Sequence, residues 1–250
     1  MNIGLYQSAA SLAALERWQE TVSQNITSAQ TSGYRKRTIQ FSTQTAGEIH
    51  PDSNSKLGLD AGVPAIFPRT SAGINYISGE TMPTRRELDV AIQGEGFFEV
   101  QLPEDGGMAY TRSGEFRLRP DRTLVTAAGL EVMSESGSPI VLLPGAGNVT
   151  INQDGTIHQG GVALGKLSIQ KFANTAALIP TTGDMFRAGP GAGMEAVEEP
   201  DLMQGYLEQS NVQPLREMVD LVLISRAYEA NQKMITAIDQ QMQKALEALG

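Results

Sequence analysis

The stretch from Asn211 to Gly250, NVQPLREMVDLVLISRAYEANQKMITAIDQQMQKALEALG, carries the strongest periodic signal in the chain. From Leu221 onward, Leu221, Ile224, Tyr228, Ile235, Ile238, Met242, Ala245 and Leu249 recur at spacings built from threes and fours, with Asn231 as a polar interruption. Such spacing puts these side chains on one stripe of a helix and forms a heptad seam. Pro214 suits the first helical turn, where its missing N–H costs nothing, and Asn211 is a candidate cap. From Val212 to Leu249 the predicted helix is roughly 57 Å long at a rise of 1.5 Å per residue. A seam of that length needs a facing helix.

The opposite end of the chain offers one. Leu5, Ser8, Leu12, Leu15, Gln19, Val22, Ile26 and Ala29 follow the same alternation, and Gly33 is a plausible stop. Ser8 and Gln19 weaken this seam, and its many Ser, Thr, Gln and Asn residues favour helix only modestly. Two arrangements fit: a coiled-coil-like pair built from both ends, or two amphipathic helices laid on the chain's own core.

Between the ends the pattern changes. From Leu88 to Phe172 short apolar runs alternate with Gly, Asp and Pro, which predicts strands near Leu88–Ile92, Gly96–Gln101, Ala109–Thr111, Glu115–Leu118, Leu124–Thr126, Ile140–Leu142, Asn148–Ile151, Thr156–His158 and Lys166–Lys171. Short strands without intervening helices argue for an antiparallel barrel or sandwich. Residues 44–83 are dense in Gly, Pro and Asn and read as an extended connector, with a short strand at Ile74–Ile77. Residues 181–200 read as a second, acidic one. The expected organisation is an N-terminal helix (1–35), a connector (36–84), a β domain (85–180), a Gly-rich acidic connector (181–205) and a C-terminal helix (206–250).

Composition narrows the function. Of the net charge of −9, residues 41–210 carry −10 and the two ends together +1, because residues 1–40 carry four basic and two acidic groups and residues 211–250 carry four and five. An acidic body disfavours nucleic acid, which calls for concentrated Lys and Arg. Arg35-Lys36-Arg37 is the one basic cluster and reads as a solvated turn. No apolar run approaches the length of a membrane span, and no basic-then-apolar leader is visible, so neither membrane insertion nor a cleaved signal is expected. The absence of cysteine excludes disulfides and thiolate metal sites.

Chemistry is sparse. Gly94-Glu95-Gly96 lacks the third glycine and the helix of a nucleotide-binding loop, and reads as a turn or bulge. His50 and His158 are the only histidines and stand far apart without acidic neighbours at ligand spacing. Glu198, Glu199 and Asp201 read as a solvated acidic loop. Asp121 and Asp154 read as turn residues. No nucleophile elbow occurs. No catalytic, cofactor or metal site is expected.

Several blocks resemble the bacterial flagellar rod and hook family, the axial proteins of the basal body. Gln204-Gly205-Tyr206-Leu207-Glu208-Gln209-Ser210-Asn211-Val212 is similar to its Gly-x-Leu-Glu-x-Ser-Asn-Val signature. Glu217-Met218-Val219 and Arg226-Ala227-Tyr228-Glu229-Ala230-Asn231 are similar to the elements that follow it. Leu88 to Phe98, containing Gly94, Gly96, Phe97 and Phe98, and Tyr110-Thr111-Arg112-Ser113-Gly114-Glu115-Phe116 resemble the central signatures. Asn25-Ile26, Ala29 and Thr31-Ser32-Gly33-Tyr34 resemble the N-terminal one, with Thr27 and Ser28 in place of its usual Ala and Asn.

The resemblance implies a structural subunit whose terminal helices line a hollow tube, with the β domain outside. It also implies export through the flagellar type III apparatus without a cleaved signal, and ordering of the termini on assembly in the periplasm-spanning rod. The implied partners are copies of the chain and other rod proteins. The implied contact residues are Leu5, Leu12, Leu15, Val22, Ile26, Leu221, Ile224, Tyr228, Asn231, Ile235, Ile238, Met242 and Leu249. The length fits a rod protein rather than a hook protein. It favours the proximal over the distal type, because Thr38–Gly47 runs into the connector with no extra block. A secreted adhesive or carbohydrate-binding β protein, which should expose aromatics on its body, and a hydrolase, which should show an acid pair or histidine in a cleft, are the readings of other classes.

Overall fold

The computed structural model describes residues 3–49, 63–103, 107–145 and 147–247. The described chain divides into two compact units. The first takes the described parts of Met1–Ile26, Arg37–Gly73 and Gln213–Gly250, and the second takes Thr27–Lys36 and Ile74–Val212.

The first unit holds both long helices, α1 (Ile3–Thr27) and α2 (Pro214–Glu247), and a ribbon of two strands, β1 (Arg37–Ile49) and β2 (Val63–Ile74). Pro214 opens α2 as expected. The cap is Gln213, whose carbonyl accepts from Arg216 and Glu217, and not Asn211. Glu217 in the first turn and Lys244 in the last complement the helix dipole. The helices run antiparallel: near one end Asn25 Nδ2 donates to Glu217 Oε2 at 3.0 Å, and near the other Asn231 Nδ2 donates to the Ser8 carbonyl at 3.1 Å. Two polar interruptions that weakened the seams, Ser8 and Asn231, are thus each other's partners. Gln19 faces solvent, while Trp18 turns inward and meets Phe41 edge-on at 5.5 Å. Gln7 and Arg17 bond the Ile66 carbonyl and Thr70 Oγ1 of β2 at 3.0 and 3.1 Å.

The long strands β1 and β2 correct the expectation of an extended connector over 36–84. Residues 40–45 alternate Gln, Phe, Ser and Thr with every side chain exposed, so no burial period marks the strand. Pro64 and Pro68 read as breakers, but a two-stranded ribbon has a free edge on each strand where a missing N–H costs little. Three further strands, Met185–Ala188, Met194–Ala196 and Asp201–Gln204, occupy the second expected connector. Phe186 and Leu202 anchor two of these, one buried apolar residue each among Gly and acidic neighbours. The terminal helices are also shorter than expected. α1 ends at Thr27 rather than near Gly33, and Tyr206–Glu208 is a strand paired with Thr81–Pro83.

The strands described in the second unit pair antiparallel. At its centre Phe97–Gln101 pairs with Met108–Thr111 on one edge and with Ile169–Phe172 and Glu131–Val132 on the other. Leu124–Thr126 and Phe116–Leu118 extend that second side, and Met185–Ala188 and Leu178–Pro180 extend the first. A three-stranded meander, Val149–Ile151, Thr156–Gln159 and Val162–Lys166, and the pair Val90–Gln93 with Asp201–Gln204 complete the body. Ile140–Leu142, expected as a strand, contributes only an isolated bridge from Val141 to Thr123, although Ile140 and Leu142 are buried.

Alternation along the central strand explains the packing. Successive side chains of a strand point to opposite faces. Phe98 and Val100, both at 0 % exposure, enter a core with Val90, Phe116, Ile157 and Ile169. Phe97 enters an aromatic cluster with Tyr110, Phe172 and Phe186 on the opposite face. The middle of the chain is therefore a β body buried on two sides.

Candidate functional site

Three segments far apart in sequence meet at one buried carboxylate in the second unit. Arg35 Nη1 lies 2.5 Å from Glu208 Oε1, and Arg112 Nε lies 3.0 Å from Glu208 Oε2, the latter an ion contact without hydrogen-bond alignment. All three side chains are 2 % exposed. Glu208 Oε1 also accepts from the Gly79 amide at 2.9 Å, and the Glu208 carbonyl accepts from Gly33 at 2.8 Å.

Arg112 is used on every side. It donates to the carbonyls of Gly96, at 2.7 Å, and Gly94, and stands over the Phe97 ring at 5.8 Å. The Gly94-Glu95-Gly96 loop thus turns two carbonyls toward a cation, the reverse of the N–H array that cradles phosphate. Burial lowers the Arg112 guanidinium to about 10, with attraction to Glu208 opposing the fall and Arg35 adding to it. Tyr76, beside this cluster, is pushed up to about 12 by burial, with the nearby Arg35 acting the other way.

Close backbone packing makes the convergence possible. Gly33 takes a φ of +72°, and a Cβ there would sit 2.3 Å from the Ser113 amide nitrogen. At Gly114 a Cβ would fall 1.7 Å from the Val90 carbonyl oxygen, so any side chain would push the strand away. Asn211 joins the segments with both ends of its amide: Oδ1 accepts from Lys36 N at 2.6 Å, and Nδ2 donates to the carbonyls of Asn75 and Ile77 at 2.9 and 2.7 Å. Ser210 Oγ accepts from Val212 N at 3.2 Å. Thr111 Oγ1 donates to Asp184 Oδ2 at 2.6 Å, while burial raises the Asp184 carboxyl.

The signature residues therefore fall into two groups. Gly94, Gly96, Phe97, Phe98, Thr111, Arg112, Gly114, Ser210, Asn211 and Val212 lie in the second unit, and most of them stand at or beside the ionic clasp. Arg226, Tyr228 and Glu229 lie on α2, with Arg226 and Glu229 exposed and Tyr228 half-buried. Arg35 corrects the reading of Arg35-Lys36-Arg37 as a solvated turn, because it is one of the most buried polar residues described. A signal was present: Arg112 and Glu208 sit inside signature blocks, and Arg35 directly follows the one that ends at Tyr34.

In the first unit Val22 and Ile224 are buried, Leu5, Leu12, Leu15, Ile26, Tyr228, Asn231, Ile235 and Ile238 are half-buried, and Leu221 and Met242 are exposed. Leu249 and His50 lie outside the described residues. The seam reading missed a second stripe of α2. Leu215 (81 %), Val219 (59 %), Val222 (52 %) and Leu223 (49 %) are exposed, with Met218 beside them. The run Val219–Ile224 could have revealed it, since it is too apolar for one seam to absorb. Asn25 and Glu217 were named only as parts of the signature blocks, and their pairing was missed; both are 1 % exposed, and Asn25 additionally bridges to the backbone of Arg37, donating to its carbonyl at 2.8 Å and accepting from its amide at 2.9 Å.

Among the described residues no three His, Asp or Glu side chains stand together as metal ligands, and no helix is long and apolar enough to cross a membrane. The arrangement defines a structural protein: an internally clasped β body, and a helix pair with an uncovered apolar face. Comparison with known proteins specifies the class. Residues 91–159 match the family model described as the flagellar hook protein FlgE/F/G D1 domain, and residues 203–248 match the flagellar basal body rod FlgEFG protein C-terminal model. The chain is 32 % identical to the flagellar basal-body rod protein FlgF of Caulobacter vibrioides, over 100 % of this chain and 99 % of that protein. Identity to FlgF of Rhizobium meliloti is also 32 %, with the same coverage. The rod protein FlgG of Buchnera aphidicola is 32 % identical over 96 % of this chain and 97 % of its own length. The chain belongs to the flagellar basal-body rod protein family, whose members are structural proteins and not enzymes.

Proposed function

We propose that the chain is a proximal rod subunit that polymerises through its paired terminal helices into the hollow axial shaft of the basal body. The observation that carries this is the outward stripe of α2. Leu215, Val219, Val222 and Leu223 stay exposed even with α1 and α2 already in contact, and adjacent apolar side chains left in water mark an interaction surface. Copies of the chain and neighbouring rod proteins supply the covering helices. A repeated contact that does not close produces a filament. Export through the flagellar type III apparatus, without a cleaved signal, delivers the subunit to the periplasm-spanning rod.

The alignments support the proximal type. That to FlgF of Caulobacter vibrioides runs 251 positions across all 250 residues, whereas that to FlgG of Buchnera aphidicola needs 262 positions for 96 % of the chain. The alignment to FlgF thus opens about one gap in this chain, as expected of a plan with no extra block. The adhesive alternative fares worse, because Tyr110, Phe97, Phe98, Phe116, Phe172 and Phe186 of the body are all buried. Electron micrographs of basal bodies from a deletion strain test the assignment. A rod that stops at its proximal part supports it, loss of only the outermost segment supports the distal type, and complete rods with normal motility contradict both.

A further inference from the structure

We infer that the β body carries a site for one small monovalent cation, held against the Asp184 carboxylate in a cavity of about 30 Å³. Thr111, Ser113, Thr126 and Asp184 line it beside Ala127, Ala128 and Met185. Every polar side chain of this wall ends in oxygen, and none is basic. Hydroxyl oxygens carry lone pairs that suit a cation as well as a donor.

The carboxylate separates an ion from a water as the occupant. Asp184 Oδ2 accepts from Thr111 Oγ1 at 2.6 Å, and that hydroxyl accepts in turn from the Ser113 amide at 3.0 Å. Thr111 and Thr126 are buried, at 1 % and 6 % exposure, and close the inner wall. Asp184 itself is half-buried, which leaves its carboxylate within reach of an entering ion. Among the described residues no Lys, Arg or His pairs with it, and burial raises its carboxyl with no basic neighbour opposing the rise. A charge taken out of water is costly until it is paired. A water molecule supplies hydrogen bonds but no counter-charge, whereas a cation supplies the charge and takes the oxygens as ligands.

Size and charge choose the ion. A cavity of about 30 Å³ matches the share of one water molecule in the liquid. Calcium calls for about six to eight oxygens, and magnesium keeps several of its waters, so a cavity of that size with a single carboxylate suits neither. An ion of sodium or potassium size fits; tetramethylammonium is too large. The site lies wholly within the body and is independent of the place of the subunit in the rod.

Unfolding midpoints of the full-length protein in sodium, potassium and tetramethylammonium chloride, at equal ionic strength and pH 7, test the proposal. The natural protein should unfold at a higher midpoint in sodium or potassium chloride than in tetramethylammonium chloride. The rise should grow with the logarithm of the cation concentration once the site fills. Asp184→Asn keeps the shape and removes the charge. In tetramethylammonium chloride it should unfold above the natural protein, and in sodium or potassium chloride that gap should narrow, because the variant gains nothing specific. Ser113→Ala should weaken the cation effect about two- to tenfold, as expected for one polar contact. Equal midpoints of the natural protein in all three salts would mean that water fills the cavity, and would overturn the proposal. So would a cation-specific rise that survives Asp184→Asn, or a rise seen with calcium chloride and with neither sodium nor potassium.

Discussion

The two units solve the problem of burial in opposite ways. The β body drives Val90, Phe98, Val100 and Ile157 to 0 % exposure and closes an ionic cluster inside itself. The helix unit buries Val22 and Ile224 along one line, yet leaves a second apolar line of α2 in water. The body closes its core within a single chain; the helix pair leaves an apolar line uncovered, which the proposed function assigns to neighbours. That division suits a subunit which must fold one part on its own and keep another in reserve for its neighbours.

The sole tryptophan, Trp18, lies in the helix unit, so its fluorescence follows that unit, while four of the six tyrosines, Tyr34, Tyr76, Tyr110 and Tyr206, lie in the body and weight the tyrosine signal toward it. The two probes can therefore be set against each other. The largest effect is expected in the body: Glu208→Ala leaves two buried guanidinium groups without their carboxylate and should cost about 3–5 kcal/mol. Urea unfolding followed by the tyrosine signal should move strongly, and the tryptophan transition much less. Equal shifts of both would mean that the units do not differ in the way described. Ile224→Ala removes the best-buried apolar side chain of α2 and should cost about 2–5 kcal/mol, now read by Trp18. Asn231→Ala, which removes the bond to Ser8, should cost about 0.5–1.5 kcal/mol on the same probe.

A smaller effect depends on pH. Burial raises the folded-state pKa of Asp184 above its unfolded value, so ionisation opposes folding. The penalty is absent while the group is protonated in both states, at a pH below the unfolded value. It grows as the pH rises through the folded value. Asp184→Asn should therefore raise the unfolding midpoint at pH 7, with the gain shrinking toward pH 3. A gain that is constant across that range would contradict the assignment.

How far the sequence carried the reading follows the same division. Phe97-Phe98, preceded by Gly94 and Gly96, announced a strand, and its burial on both faces came only with the structure. Val22, Ile224 and Tyr228 announced a helix seam. Polar residues in apolar company were harder: Asn25 and Glu217 stand in signature blocks 192 residues apart, and no spacing pairs them until the helices meet. Arg35 looked solvated because its counter-charge, Glu208, lies far along the chain. The ribbon β1–β2 was illegible for a different reason: its side chains are exposed on both faces over residues 40–45, and periodicity reports burial, not strand formation. Sequence patterns thus recovered what is packed locally and missed what is paired at long range.

The central claim is that the outward face of α2 is reserved for neighbouring subunits, and Val222→Asp tests it most directly. Ile235 and Ile238 are half-buried, so a charge there would disturb the subunit as well as its contacts, whereas Val222 is 52 % exposed. The account predicts that the purified variant unfolds within about 0.5 kcal/mol of the natural protein, as exposed substitutions do. It also predicts that basal bodies isolated from a strain carrying the variant lack an intact rod and that the cells do not swim. Intact rods and normal swimming, with the variant present in them, would contradict it.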